Sequence, residues 1–165
     1  MKQLTLVRHA QAEPALAGQS DFDRVLTRRG TEDAAELARR LKQRKLQVDH
    51  ILTSSAARAL ATAEIFARVL KLPHDAIETD DRLYTAGPIQ FLKTLHECGA
   101  AHRHILLASH NPGIAEFADK LADDRRIEAM PTCSVVTMQF TIADWTKLEW
   151  HSGLDVEFDY PGRMS

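Results

Sequence analysis

The sequence predicts an α/β fold built on a mostly parallel sheet, and three features predict it. Short apolar runs at Leu4–Val7, Val48–Thr53 and His104–His110 are each followed by a turn and then a segment of helical period. That alternation gives parallel strands joined by crossover helices. Two of the runs end at or beside a histidine, the first followed by adjacent Arg8 and His9 and the third closing on His110, and in open α/β sheets ligands bind beyond the carboxyl ends of the strands. Near the end of the chain, Val135, Thr137 and Gln139 alternate with Val136, Met138 and Phe140, the period of two expected of an antiparallel strand.

The chain as a whole excludes several classes. Its 165 residues suit one domain, 1–165, and a composition 44% hydrophobic and 27% charged with seven glycines and six prolines shows no linker. The formal net charge is -2 and basic residues are dispersed among acidic ones, as in Glu36 to Lys42, so no face for nucleic acid is expected. The run Leu4–Val7 is too short for a secretory segment and no later stretch approaches a membrane span, which points to a cytoplasmic protein without membrane contact. Cys98 and Cys133 have neither metal-ligand spacing nor a secretory context, and read as small apolar fillers without a disulfide.

Taken in order, Leu4–Val7 is the first strand and Gln11 to Arg24, with Pro14, Gly18 and Asp21, is a loop over the ligand crevice. Thr27 caps a helix whose core stripe is Ala34, Leu37, Ala38 and Leu41. After the strand Val48–Thr53, Ser54 to Arg58 turns into a helix with Ala59, Ala63, Phe66, Ala67 and Leu70 inward. Arg58 then lies in a first helical turn, where a cation is slightly unfavourable unless an anion is near. Ile77–Leu83 reads as an acidic, irregular connection, and Gly87-Pro88 starts a helix carrying Ile89, Leu92 and Leu95. Asn111-Pro112 opens a helix with Ile114, Phe117, Ala118 and Leu121 inward. Ser134–Ile142 and Lys147–His151 flank Ala143 to Thr146 as an antiparallel pair, and the tail from Asp155 carries no readable signal.

Arg8, His9, Arg58 and His110 are thereby collected at one edge of one sheet. Arginine supplies a planar, permanent charge for phosphate, and neutral histidine a nucleophilic nitrogen that also carries a proton near physiological pH. Leu6-Val-Arg-His-Ala10 resembles the Arg-His-Gly signature of the histidine phosphatase superfamily, with Ala10 in place of the glycine. Leu26-Thr27 with Gly30, Thr53 to Ala59 followed by Thr62-Ala-Glu64, and Ala108 to Pro112 resemble the family's further motifs in the same order. The short length and carboxy-terminal strand pair most resemble its SixA-type phosphohistidine phosphatase branch.

The resemblance implies a phosphoglycerate-mutase-like three-layer sandwich and a covalent route. His9 attacks phosphorus, its other ring nitrogen pinned as a donor to a backbone carbonyl. Arg8, Arg58 and a protonated or hydrogen-bonding His110 hold the phosphoryl oxygens, and water hydrolyses the phosphoenzyme. No cofactor or metal is called for. The glutamate that serves as general acid in monoester-cleaving members has no counterpart before the third helix, where Asp81 to Tyr84 stands, leaving Asp81, Asp80 and Glu13 as acid candidates. A phosphorylated protein, such as a histidine-containing phosphotransfer domain, is the expected substrate. The rival readings are a small-molecule phosphomonoesterase acting on a phosphorylated metabolite, an idle phosphate-binding module, and a metal hydrolase using His102 and His104. The last is disfavoured because those two precede a strand and point away from its carboxyl end.

Overall fold

The computed structural model describes residues 1–164. Six strands form one sheet in the order β3-β2-β4-β1-β5-β6: β1 (Lys2–Arg8), β2 (His50–Thr53), β3 (Ile77–Thr79), β4 (His104–Ser109), β5 (Val135–Phe140) and β6 (Leu154–Asp159). β3, β2, β4 and β1 run parallel, while β5 is antiparallel to β1 and β6 antiparallel to β5. Helices α1 (Arg28–Gln43) and α2 (Ala57–Val69) cover one face, and α3 (Pro88–His96) and α4 (Gly113–Leu121) the other. The expected three-layer arrangement is what the chain adopts.

The strand residues sort themselves by the period of two. Leu4 and Leu6 of β1, with Ile105 and Leu107 of β4, pack against Phe91 and Leu95 of α3 and Ile114, Phe117, Ala118 and Leu121 of α4. Val7, Leu106 and Ala108 face the other way, toward Ala34, Leu37, Ala38 and Leu41 of α1 and Ala63 and Phe66 of α2. Both sides of the central strands are thus apolar, as a parallel sheet buried on both faces requires. Thr27 caps α1, its hydroxyl accepting from the Gly30 N–H at 2.9 Å.

Three expectations are corrected. Ile77–Leu83 is not wholly irregular: Ile77–Thr79 pairs parallel with β2 as an edge strand, and with only Ile77 half-buried it has no apolar alternation to read. In α3 Leu95 is buried with Phe91 and Thr94, and Leu92 packs half-buried on the core, but Ile89, in the first turn, is 78% exposed. Spacing of three drifts around a helix, whereas Phe91 and Leu95 are one i,i+4 pair. The partner of β5 is β6 and not Lys147–His151, which forms no strand: Lys147 ends a 3-10 turn, Trp145–Lys147, that buries Trp145. The signal lay in the tail: Leu154, Val156 and Phe158 alternate with Asp155, Glu157 and Asp159. Val156 and Phe158 pack on the α3/α4 side of the sheet, while Asp159 reaches Arg40 of α1 at 2.8 Å.

The loop of residues 11–25 is stapled at its base. Ala12 and Leu26 form an antiparallel bridge, the Glu13 N–H donates to Val25 O at 2.8 Å and the Thr27 N–H to Gln11 O at 3.0 Å. Gly30 makes this seam possible, because a Cβ there would stand 2.1 Å from the Gln11 carbonyl oxygen. Alanine in a helix interior normally gains up to about 1 kcal/mol over glycine, but overpacking against backbone costs roughly 1 to 3 kcal/mol. Gly30→Ala should therefore lower the midpoint of urea unfolding; an increase would show that the seam can move aside.

Candidate active site

The parallel register brings the four signalled residues together. Arg8 pairs with Ser109 across β1 and β4, the His9 N–H donates to Ser109 O at 3.0 Å, and the Ser54 N–H donates to Ala108 O at 3.0 Å. The ends of β1, β4 and β2 are level, and His9, His110 and the turn into α2 follow from them. Arg58, the second residue of α2, then reaches His9: its Nε lies 3.4 Å from His9 Nε2. The imidazoles of His9 and His110 stand with centroids 5.2 Å apart.

Each ring nitrogen of His9 has a defined setting. Nδ1 lies 2.8 Å from the Ala10 carbonyl oxygen, the backbone acceptor that the sequence could not name, so it carries the proton and leaves the lone pair at Nε2. Ala10, which replaces the signature glycine, is fully buried, and its N–H donates to Thr62 Oγ1 at 3.0 Å. The Thr62 hydroxyl in turn donates to the Arg58 carbonyl at 2.8 Å, tying the start of α2 to the end of β1. Arg8 donates through one terminal nitrogen to Met130 O at 3.0 Å, and its Nε is buried without a partner among the described residues. His110 Nε2 lies 2.8 Å from Ser54 Oγ, and its Nδ1 is likewise buried and unpartnered.

Burial lowers the pKa of His9 to about 4, with Arg58 and Arg8 adding to the shift and the Ala10 bond opposing it. Burial, then His9 and Arg58, lower that of His110 to about 3. Burial thus favours the neutral form of both rings, which for His110 is the hydrogen-bonding one of the two alternatives expected from sequence. Half-buried Arg8 is also pushed below its usual range, first by burial and then by Arg58.

Asp21, on the loop, is the partner that sequence reasoning missed. Arg58 donates to its backbone oxygen at 2.7 Å and to Oδ2 at 2.9 Å, and the Tyr84 hydroxyl donates to the same Oδ2 at 2.5 Å. The Tyr84 bond, followed by those from Arg24 and Arg58, holds the Asp21 carboxyl well below the usual carboxylate range. The available signal was positional, an acid within a loop expected to cross the crevice. A cavity of about 470 Å³ opens here, its walls including Asp21, Arg58, Tyr84, His110, Gly87 and Glu116.

The three acid candidates are not part of this cluster. Asp80 accepts from Arg82 at 2.7 Å, and this contact lowers its pKa; Arg82 also holds Glu97. Asp81 is exposed and accepts from Ser55, while Glu13 is exposed at the base of the loop, where its carbonyl accepts from Arg24 Nε at 2.7 Å. His102 and His104 lie at the opposite end of the strands: His104 Nε2 is 2.7 Å from Thr5 Oγ1, and His102 stacks on His50 at 3.9 Å.

A family model for the histidine phosphatase superfamily (branch 1) matches residues 4–85, the span holding Arg8, His9 and Arg58. An uncharacterized protein of Picosynechococcus sp. is 34% identical over 122 residues, 73% of either chain. This chain belongs to the histidine phosphatase superfamily. Among other members, the phosphohistidine phosphatase SixA of Escherichia coli is 28% identical over 140 residues, 82% of this chain and 84% of its own. The solved structure of the protein histidine phosphatase SixA complexed with tungstate superposes with a TM-score of 0.73 at 21% identity, covering 96% of this chain and 94% of that one. The sheet and its helices are those of the phosphoglycerate-mutase-like fold.

The neutral histidines give this histidine phosphatase a distinct acid response. Unfolded imidazoles titrate near about 6.5, so below that pH the unfolded chain binds protons that folded His9, His110 and His104, the last also lowered to about 4 by burial, do not. Stability should fall as pH drops from about 6.5 toward 4, before Asp21, whose depressed pKa matters only below about 4, begins to contribute. Urea titrations at several pH values test this. A flat response across that window would mean that the rings are charged in the folded protein.

Proposed function

We propose that this superfamily hydrolase works through a phosphoenzyme on His9 and removes phosphate from phosphohistidine in a protein substrate. The observation that carries the reading is the Nδ1 contact with the Ala10 carbonyl, which leaves the Nε2 lone pair directed toward Arg58. His9 Nε2 would form a bond to phosphorus as the bond to the leaving nitrogen breaks, and water would then take the phosphoryl group from His9. Arg8, Arg58 and His110 would hold the other phosphoryl oxygens, where preorganised donors act through a loose transition state.

The leaving group decides between substrates. An alcohol, with a pKa of about 15, demands a proton donor, whereas the ring of phosphohistidine can leave as neutral imidazole once protonated. Asp21, the carboxyl bonded to Arg58, is held as an anion by Tyr84, Arg24 and Arg58 and is poorly suited to donate. A second reading, a small-molecule phosphomonoesterase, draws support from Glu116, an exposed carboxyl in the cavity wall on the first turn of α4.

Turnover of a phosphorylated histidine-containing phosphotransfer domain, compared with a panel of sugar and nucleotide phosphates, tests the assignment; faster turnover of the esters would favour the second reading. Persistence of that activity in a chelator is expected, and its loss would point to a metal hydrolase. Phosphate binding without turnover of any substrate would leave only a binding module. His9→Ala should abolish turnover, and substantial residual activity would sink the covalent route. Arg58→Ala should cost about 10²- to 10³-fold in kcat, by analogy with loss of one oxyanion donor. Asp80→Asn, Asp81→Asn, Glu13→Gln and Glu116→Gln should each leave phosphohistidine hydrolysis nearly unchanged; a loss of about 10²-fold in any of them would reveal a dedicated acid.

A further inference from the structure

We propose that Ser54 fixes the tautomer of His110, holding the ring proton on Nδ1 so that the neutral imidazole donates to a phosphoryl oxygen. The inference rests on the function proposed above and assigns a positioning residue to that site. Ser54 is fully buried at the end of β2, and its Oγ has two neighbours: it accepts from the Ala56 N–H at 3.2 Å and lies 2.8 Å from His110 Nε2. A hydroxyl has one proton to give, and buried donors find acceptors. With the Ala56 N–H already directed at the oxygen, the acceptor for the Ser54 proton among the described residues is His110 Nε2.

An imidazole that accepts at Nε2 and is neutral carries its proton at Nδ1. That atom is buried and has no acceptor among the described residues, while the ring lines the cavity and stands 5.2 Å from His9. The groups facing the ring are His9 and Arg8 from the end of β1, Arg58 from α2, Asp21 from the loop and Tyr84, whose ring meets it edge-on at 5.4 Å. Burial and the cations among them keep it uncharged. In the opposite tautomer Nδ1 would present a lone pair, which repels an anionic oxygen, so the choice of proton position decides whether His110 attracts or opposes the phosphoryl group.

Long-range ¹H–¹⁵N spectra of the whole protein at pH 7, with His110 assigned by comparison with His110→Gln, read the tautomer directly. The wild type should show Nδ1–H; an Nε2–H ring or an imidazolium would overturn the proposal, and this measurement needs no variant of Ser54. In Ser54→Ala the ring should become a mixture of tautomers, and orthovanadate should bind more weakly in proportion to the Nδ1–H fraction lost, about twofold for an equal mixture. Ser54→Thr, which keeps the hydroxyl, should keep the wild-type tautomer. An unchanged Nδ1–H signal in Ser54→Ala would show that Ser54 does not set it. Should the wild type show Nδ1–H and yet fail to hydrolyse phosphohistidine, the substrate reading falls and the role of Ser54 stands.

Discussion

The site depends first on the ladder between three parallel strands. β1 and β4 are locked in register from Gln3 opposite His104 to Arg8 opposite Ser109, and β4 is locked to β2 by Thr53 opposite Ala108. A slip of one residue would turn Leu4, Leu6, Ile105 and Leu107 to the wrong face, exchanging the partners of both helical layers at once. The hydrophobic core therefore enforces the alignment of the strand ends, and with it the relative positions of Arg8, His9, Ser54 and His110. Packing on both faces does the work of holding polar groups that sit at the edge.

On that frame the electrostatics divide the labour. Two guanidiniums supply permanent charge, while burial keeps the two imidazoles neutral between them. A charged His9 would have no lone pair to offer, and a charged His110 would add repulsion to a site already holding Arg8 and Arg58. Asp21 balances the outer edge of Arg58, taking two of its terminal nitrogens and leaving Nε turned toward His9. The cation in the first turn of α2, unfavourable for the helix alone, is thereby compensated by an anion from another segment.

Much of this arrangement was legible in the sequence. The apolar runs before His9 and His110, the helical stripe Ala34, Leu37, Ala38 and Leu41, and Arg58 in a first turn all rest on local periodicity, which survives folding unchanged. Less was legible where partners are distant. Asp21 meets Arg58 and Tyr84 only after the loop closes, Ala10 supplies the carbonyl for His9 through backbone geometry, and the hydroxyl of Ser54 finds His110 only through the register of β2 and β4. The acid candidates show the same limit from the other side: Asp80 lies close in sequence to the expected position, but Arg82, two residues away, claims its carboxylate.

The staple at the base of the 11–25 loop has a consequence for how such a protein can diversify. Because Ala12 and Leu26 are bridged and Gly30 lets the helix press against Gln11, the two ends of the loop are fixed independently of what lies between them. Closing a flexible loop costs only about 0.6 kcal/mol more for each doubling of its length. Added residues near the exposed tip from Pro14 to Gly18 would thus be tolerated thermodynamically, and they could extend over the cavity mouth without disturbing the strand ends beneath. The seam separates a fixed task from an adjustable one: reactive groups are held by the sheet, while the reach and shape of the entrance can change with the length of one tethered excursion.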